Sequence, residues 1–209
     1  KIQGATLGVT TGALTNNGRL QGDNGVTLGL SGNLTNNAGG EIVSRQALTV
    51  TTPSLFNYGL IQGGGETSVT ATSQARNDGK LLSGARLTLT TPQYTGAGWL
   101  QATNLILNAA TATNSGTWVA DRATLTGNTL THQGTTQAGT LAVNYTQLTN
   151  SGTLLGNQGM TLKGGSLDNA GGKVFSGGDM LAEMVSLSGA GQLVALGNLT
   201  LKLTNGFTT

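Results

Sequence analysis

The sequence contains one side chain suited to acid-base catalysis near neutral pH, the imidazole of His132, the only histidine among 209 residues. Such a histidine could act as the general base of a Ser-His-Asp triad. A triad also needs a nucleophile and an acid placed beside the imidazole. No serine or carboxylate stands at a spacing that singles it out as a partner of His132, so the sequence identifies no catalytic residue.

Carboxylates could support two other kinds of chemistry, because paired carboxylates hydrolyse glycosidic bonds and clustered ones bind Ca²⁺. The eight acidic residues are dispersed along the chain: Asp23, Glu41, Glu66, Asp78, Asp121, Asp168, Asp179 and Glu183. The sequence has no cysteine, which excludes disulfides and thiolate-bound metals. We therefore predict no enzyme activity, no metal site and no cofactor.

The charge balance argues against nucleic acid as a partner. Only 9% of residues are charged, with 10 Lys and Arg against 8 Asp and Glu. Binding to a phosphate backbone needs a clustered basic surface, whereas the basic residues here are scattered, with no run of three. No stretch approaches the roughly 18 consecutive apolar residues of a membrane span. The 35 glycines and 36% hydrophobic residues favour a stack of small units with a buried core.

The elements that would position these side chains follow from a repeated phrase: an aliphatic residue, Asn two places later, then Gly and a short apolar run. Self-similarity at a fixed period is the sequence signature of a repeat architecture. Ten units cover almost the whole chain. The residues that open them recur at intervals of 18 to 21: Leu14, Leu34, Leu55, Ala75, Tyr94, Ala112, Leu130, Leu148, Leu167 and Leu187.

The third position of the phrase is Asn in seven of the ten units: Asn16, Asn36, Asn57, Asn77, Asn114, Asn150 and Asn169. Gly96, His132 and Gly189 occupy it in the others. The glycine that follows in every unit is expected where the backbone adopts positive φ or where a neighbouring coil comes close. Each unit also carries a segment in which apolar residues alternate with period two, as at Leu105 and Leu107. This alternation predicts strands.

A unit of this length cannot bury its inner side chains alone, but it can when stacked on copies of itself. If each unit forms one coil, equivalent positions lie about 4.8 Å apart along the axis. Leucine then stacks on leucine, and the seven asparagines form a hydrogen-bonded amide ladder. We therefore predict an all-β fold, a parallel β-helix of about ten coils. His132 would occupy a ladder position, where its ring can replace the amide hydrogen bonds, and the ladder would be interrupted at Gly96, His132 and Gly189.

Four segments, LTNNGRL, LTNNAGGEI, LTNSGTLL and LDNAGGKVF, resemble the filamentous haemagglutinin repeat, and the similarity spans residues 7 to 203. That family comprises very large bacterial exoproteins exported by two-partner secretion. It includes adhesins of the FhaB type and contact-dependent growth-inhibition effectors of the CdiA type. The resemblance implies that residues 1–209 form a single right-handed β-helical domain, an internal part of a longer filament on the surface of a Gram-negative cell.

In the growth-inhibition effectors, the resemblance implies a shaft, a region that binds an outer-membrane receptor on a target cell, and a C-terminal toxin. A cognate outer-membrane transporter would export the chain. The predicted function is a filament segment that holds or forms part of the receptor-binding region. One alternative is a shaft segment of a host-cell adhesin. Another is a β-helical polysaccharide-active enzyme, which the dispersed carboxylates argue against.

A candidate contact surface lies directly after the repeated glycine, where the side chain should point outward because the next one points inward. Leu60, Lys80 and Trp99 are consecutive members of this column. An exposed tryptophan beside an apolar neighbour suits recognition of a protein or a sugar, although it could also lie flat over its own coil. Trp118 falls in the inward column and is expected in the core. We predict a monomeric or weakly associating segment, with open strand edges at both ends as its main aggregation risk.

Overall fold

The computed structural model describes residues 1–207, which form eighteen β-strands and no helix. Within this range no helix is long and apolar enough to cross a membrane. The strands are β1 (Ile2–Thr11), β2 (Leu14–Asn16), β3 (Arg19–Leu30), β4 (Leu34–Asn36), β5 (Glu41–Ser44), β6 (Ala47–Asn57), β7 (Leu60–Gly63), β8 (Thr67–Asn77), β9 (Lys80–Ser83), β10 (Arg86–Gly96), β11 (Trp99–Asn114), β12 (Thr117–His132), β13 (Thr135–Asn150), β14 (Thr153–Asp168), β15 (Lys173–Ser176), β16 (Asp179–Ser188), β17 (Gln192–Ala195) and β18 (Leu199–Leu203).

All the strands belong to one sheet that winds around the molecule, and they pair in parallel. Each strand pairs with its equivalent one coil away: Leu107 in β11 pairs with Leu125 in β12, which pairs with Val143 in β13. Parallel ladders between successive coils define a parallel β-helix. The predicted fold is therefore confirmed.

The register of the ladders follows the repeated phrase. The opening residues of the ten units lie one above the next along a continuous column: Leu14, Leu34, Leu55, Ala75, Tyr94, Ala112, Leu130, Leu148, Leu167 and Leu187. The phrase recurs because each coil turns the same corner over the equivalent residues of its neighbour.

The core is a set of aliphatic columns inside the coils. One column is at most 2% exposed in eight successive coils: Leu28, Val50, Val69, Leu89, Leu107, Leu125, Val143 and Leu162. Burying such side chains stabilises the fold by roughly 25 cal/mol for each Å² of apolar surface removed from water. At the two ends the equivalent residues are only partly buried, among them Val9 and Leu201. Within residues 1–207 each of them has a neighbouring coil on one side alone.

Glycine at the corner is required for space. A Cβ built on Gly59 would meet the carbonyl oxygen of Gly40, and one built on Gly79 would meet that of Gly59. The same contact with the glycine one coil earlier recurs at Gly98, Gly116, Gly134 and Gly152. None of these has positive φ; the positive-φ glycines are Gly39, Gly164, Gly171 and Gly189. Of the two explanations open from the sequence, close approach of the coils is therefore the one that applies in this column.

The strands lengthen in the middle of the molecule. β11, β12, β13 and β14 are 16 residues long, whereas β7 and β9 have four residues each and are followed by turns. In the long strands the chain runs from just after the corner glycine to the ladder position or the residue before it. The outward-pointing residue that follows the corner glycine and the inward-pointing residues near the ladder position therefore belong to the same strand.

Candidate functional site

The first four ladder residues form an internal chain of amide hydrogen bonds. Nδ2 of Asn16 donates to Oδ1 of Asn36 at 2.8 Å, Asn36 donates to Asn57 at 2.8 Å, and Asn57 donates to Asn77 at 2.7 Å. The amide of Asn57 also donates to the carbonyl oxygen of Lys80 at 3.1 Å. The four asparagines are at most 5% exposed, so each hydrogen bond joins two coils in a region without competing solvent.

The ladder is interrupted where Gly96 supplies no side chain. Asn114 lies in the next coil, and its Oδ1 accepts from the amide of Gly116 at 2.9 Å. Its Nδ2 has no hydrogen-bond partner among the described residues, and neither has Oη of Tyr94 or Nε1 of Trp118. Asn114 therefore occupies the predicted column without making the predicted ladder bond.

Aromatic rings fill the core beside this interruption. The rings of Tyr94 and Trp118 meet edge to face at 5.6 Å between centroids, and Trp118 meets His132 in the same manner at 6.1 Å. Trp118 is fully buried, so the expectation that it points inward is correct. Burial raises the pKa of Tyr94 to about 12, which keeps its hydroxyl protonated at neutral pH.

His132 begins a second run of the ladder. Its Nδ1 lies 3.0 Å from Oδ1 of Asn150, and its Nε2 lies 2.8 Å from Oγ1 of Thr136. Nδ2 of Asn150 donates onward to Asn169 at 2.8 Å. Because Oδ1 of Asn150 can only accept, Nδ1 carries the proton and Nε2 accepts from the hydroxyl of Thr136. The imidazole thus takes the place of an amide in the ladder.

The position of His132 also decides its chemistry. The side chain has no exposed surface, and both ring nitrogens are engaged by uncharged partners. Burial lowers its pKa to about 4, partly offset by the hydrogen bond to Asn150. At neutral pH the ring is an uncharged member of the core, without contact with solvent.

Leu60, Lys80 and Trp99 meet on the outer surface, where they line a shallow groove of about 450 Å³. Leu60 pairs with Lys80 across β7 and β9, and Lys80 pairs with Trp99 across β9 and β11. The side chain of Trp99 is 38% exposed. Its indole Nε1 donates to Oε1 of Gln101 at 3.1 Å, so the ring is anchored along its own strand while more than a third of its surface remains accessible.

Tyr58 completes the groove and was missed by the sequence analysis. It precedes the corner glycine, and its ring is 40% exposed on the same face as Trp99. Asp78 and Ala97 occupy the equivalent position in the next two coils and also line the groove. A comparison of the residues before the glycine, coil by coil, would have revealed Tyr58.

The acidic side chains of the groove are paired with arginine. Arg19 lies 2.7 Å from Glu41, and Arg76 lies 2.6 Å from Asp78. Partial burial alone would raise the pKa of Asp78, but the amide of Ala97 and the guanidinium of Arg76 together bring it below its ordinary value. Arg76 also lies 5.9 Å from the centre of the Tyr58 ring. These contacts hold Tyr58 and Asp78 in fixed positions at the groove.

Lys80 differs from these charges. Among the described residues its ammonium group makes no ion pair within 4.0 Å. It stands between Leu60 and Trp99 and is exposed. The groove therefore presents one uncompensated positive charge between an aliphatic and an aromatic side chain.

The backbone of the groove is already used within the sheet. The amide of Leu60 donates to Gly40, that of Lys80 to Gly59, and that of Trp99 to Gly79, at 2.8 to 2.9 Å. The groove runs along the axis, across the strands, so it does not present a free strand edge. Contacts with a ligand in it must come from side chains.

Within residues 1–207, no three histidine, aspartate or glutamate side chains lie close enough together to hold a metal ion.

The haemagglutinin repeat profile matches residues 2–91 and 136–206. The stretch between them contains Gly96, Trp118 and His132, where the ladder departs from its regular pattern. No solved structure matches the chain.

Three similar proteins illustrate the relationship. The tRNA nuclease CdiA of Escherichia coli strain STEC_O31 is 60% identical over 201 residues, 96% of this chain. The toxin CdiA of Escherichia coli is 45% identical over 177 residues, 83% of the chain. The deoxyribonuclease CdiA of Dickeya dadantii strain 3937 is 39% identical over 209 residues, 99% of the chain. The chain spans only 5 to 6% of the length of these relatives, so the nuclease and toxin names describe those whole proteins.

Three observations support the same family assignment. They are the parallel coils, the recurring Asn and Gly columns, and the family profile that matches most of the sequence. The chain belongs to the haemagglutinin repeat family, as a β-helical segment of the CdiA type.

Proposed function

We propose that this chain is a filament segment of a contact-dependent growth-inhibition effector, exported by two-partner secretion and displayed on a Gram-negative cell. The observation that carries the proposal is the continuous stack of near-identical coils in a sequence 60% identical to a CdiA protein. Coils that contact only their neighbours extend a structure in one dimension. Such a rod can hold a distal toxin or recognition region away from the producing cell.

The groove supports a part in recognition beyond that of a spacer. Exposed aromatic side chains are rare on this surface; within residues 1–207 they are Tyr58, Trp99 and Phe207. Tyr58 and Trp99 share one groove. A shaft without a partner should show no such concentration on one face, whereas contact surfaces are enriched in tyrosine and tryptophan. We propose that this face contacts the outer membrane of the target cell, through a receptor or another surface component.

One further partner follows from the same proposal. The cognate outer-membrane transporter would engage the chain during export. No nucleic-acid partner is proposed for this segment, since its basic residues form no cluster. A shaft segment of a host-cell adhesin is the alternative. The matching profile describes the haemagglutinin repeat itself and does not distinguish what the filament carries.

Binding to intact cells tests the proposal. The purified chain should bind target bacteria saturably, and Trp99→Ala should reduce that binding about tenfold or more, as expected for a central aromatic contact. Leu196→Ala is the matched control, because Leu196 is 71% exposed and lies outside the groove. Equal losses for both variants, or binding to host cells but not to bacteria, would contradict recognition of bacterial targets by this face.

We also propose that the segment is monomeric at micromolar concentration. Near residue 207 the exposed large apolar side chains are four: Val194, Leu196, Leu199 and Phe207. Sedimentation velocity should give one elongated species, with weak association only at high concentration. A tight, compact dimer would contradict this expectation.

A further inference from the structure

We propose that the groove lined by Tyr58, Leu60, Lys80 and Trp99 binds an acidic polysaccharide on the target-cell surface, with a pyranose ring against the exposed indole of Trp99 and an acidic group beside Lys80. This inference deepens the proposed function and rests on it, because it names the chemical class of the partner. The backbone, the aromatic rings and the charge of the groove each favour such a ligand.

The backbone excludes the commonest mode of peptide recognition. A peptide that adds a strand to a sheet needs free backbone donors and acceptors at an edge. At Leu60, Lys80 and Trp99 the amides already donate to the preceding coil. A peptide would therefore have to bind by side-chain pockets alone, whereas this groove is shallow and has a floor of corner glycines, including Gly59, Gly79 and Gly98. An extended ligand that presents flat rings and needs no main-chain partner fits better.

The two aromatic rings are spaced for such a ligand. Tyr58 and Leu60 belong to one coil, Lys80 to the next and Trp99 to the one after. Successive coils are about 4.8 Å apart, so the two aromatic side chains start about 10 Å apart along the axis. That length is comparable with a disaccharide. Both rings are held in place, Trp99 by Gln101 and Tyr58 by Arg76, so little conformational freedom is lost on binding.

The charges select an acidic ligand. Glu41 and Asp78 are each paired with an arginine, which leaves the ammonium of Lys80 as the charge without a partner in the groove. A carboxylate on a sugar ring can approach this ammonium while the apolar face of the ring lies over Trp99. An uncharged glycan would gain the stacking contact alone.

The two tryptophans of the chain provide a direct measurement. In a ¹⁵N-labelled sample, Trp99 and Trp118 should give separate indole N–H signals, because Trp118 is fully buried whereas Trp99 is 38% exposed. The probe is an α-1,4-linked galacturonic acid hexasaccharide, with cellohexaose as the neutral comparison. We expect the acid oligomer to shift the Trp99 signal saturably at micromolar to millimolar concentration and to leave the Trp118 signal unchanged. Cellohexaose should bind at least about fivefold more weakly, because it lacks the contact with Lys80.

Variants separate the two contacts. Trp99→Ala should weaken binding about tenfold, measured on backbone amides of the groove, and Trp99→Phe should restore most of it. Lys80→Gln should bring the affinity for the acidic oligomer close to that for cellohexaose. Both side chains are at the surface, and the circular dichroism spectrum of each variant should remain that of the unsubstituted chain.

Several outcomes would overturn the inference. They are the absence of a Trp99 shift at about 10 mM oligosaccharide, an equal shift of Trp118, or binding unchanged in Trp99→Ala. If binding to cells requires Trp99 but is abolished by protease treatment of the cells and is not competed by the oligosaccharide, the groove recognises a protein. In that case the proposed recognition function stands and the polysaccharide assignment falls. If the oligosaccharide binds at Trp99 while no cell does, the ligand class stands and target-cell recognition falls.

Discussion

At the scale of single residues, the ladder shows why an amide recurs at one position of the coil. An asparagine side chain offers an acceptor to one neighbouring coil and two donor protons to the other. Asn57 uses all of these, since it accepts from Asn36 and donates to Asn77 and to the carbonyl of Lys80. An aliphatic side chain at this position would leave donors and acceptors of both neighbouring coils unpaired in the core.

Asn57→Ala should therefore lower the free energy of unfolding by roughly 3 kcal/mol, because in a fully buried site the amide of Asn36 loses one of its acceptors and Oδ1 of Asn77 loses the donor from Asn57. Asn17→Ala is the control. Asn17 accepts a hydrogen bond from Asn37 at 2.7 Å at the exposed surface, where a loss within about 0.5 kcal/mol is expected. Urea unfolding of the two variants should show this difference, and equal midpoints would contradict the energetic role of the ladder.

His132 gives the ladder a dependence on pH. Its pKa is lowered by burial from 6.5 to about 4 in the folded chain. Between these values the unfolded chain binds a proton that the folded chain does not. The contribution of neutral His132 is therefore fully present above pH 6.5 and is lost as the pH falls toward 4, by roughly 3 kcal/mol in total.

His132→Asn should remove this component of the pH dependence, because an amide does not titrate and can occupy the same ladder position. His132 is the only histidine, so no other imidazole obscures the comparison. Urea midpoints of both proteins measured between about pH 7 and pH 4.5 provide the test. Parallel pH profiles for the two proteins would show that the imidazole is not held neutral in the core.

At the scale of the structural element, the corner sets how closely two coils can stack. The chain turns a corner beside the ladder, and the carbonyl of one corner glycine lies against the Cα of the next, as at Gly79 and Gly98. A side chain there would separate the coils at the corner and lengthen the hydrogen bonds on both sides of it. The first corner is different, because a Cβ on Gly18 would meet no atom within 4 Å.

This difference gives a paired prediction. Gly116→Ala should destabilise the chain by about 2 kcal/mol, as is usual when an extra methyl group is forced into a packed site. Gly18→Ala should be neutral or stabilise it by up to about 0.5 kcal/mol, through the lower entropy of the unfolded chain. Thermal unfolding of the two variants would measure both effects. A similar loss at Gly18 would mean that glycine is needed for its backbone conformation and not for space.

At the scale of the whole molecule, the stability of each coil depends on how many neighbouring coils it contacts. A coil in the middle contacts two others, and its inward residues are almost completely buried, as in β13. The inner residues of β1 and β18 are only half-buried. Because contacts are confined to adjacent coils, the ends can open without unfolding the middle.

Hydrogen exchange should show this as a gradient. Amides of β12 and β13 should exchange most slowly, and those of β1 and β18 much faster, because opening an end coil exposes one interface whereas opening a middle coil disrupts two. Mass spectrometry of peptic fragments would measure the rates. Uniform protection along the chain would indicate that the segment unfolds as a single cooperative unit.

The sequence determined the period, the parallel coils, the ladder column and the inward or outward direction of residues such as Trp118 and Trp99. These features could be read because each is a short-range pattern, and ten repetitions identify the register. Neither Leu55 nor Asn57 is informative alone. When equivalent residues recur in every unit, however, they can all be buried and hydrogen-bonded only if the units stack on one another. The same reasoning placed His132 in the core.

Only the tertiary structure decided what depends on atoms from several coils at once. It selected close approach as the reason for the corner glycines, and it left Asn114 without its ladder bond. It also brought Tyr58 to the groove of Trp99. These residues are distant in the sequence, and Tyr58 precedes a corner glycine whereas Trp99 follows one. Repetition predicts what is alike in every coil, whereas a site arises from the differences between neighbouring coils, and those differences acquire meaning only when the coils are stacked.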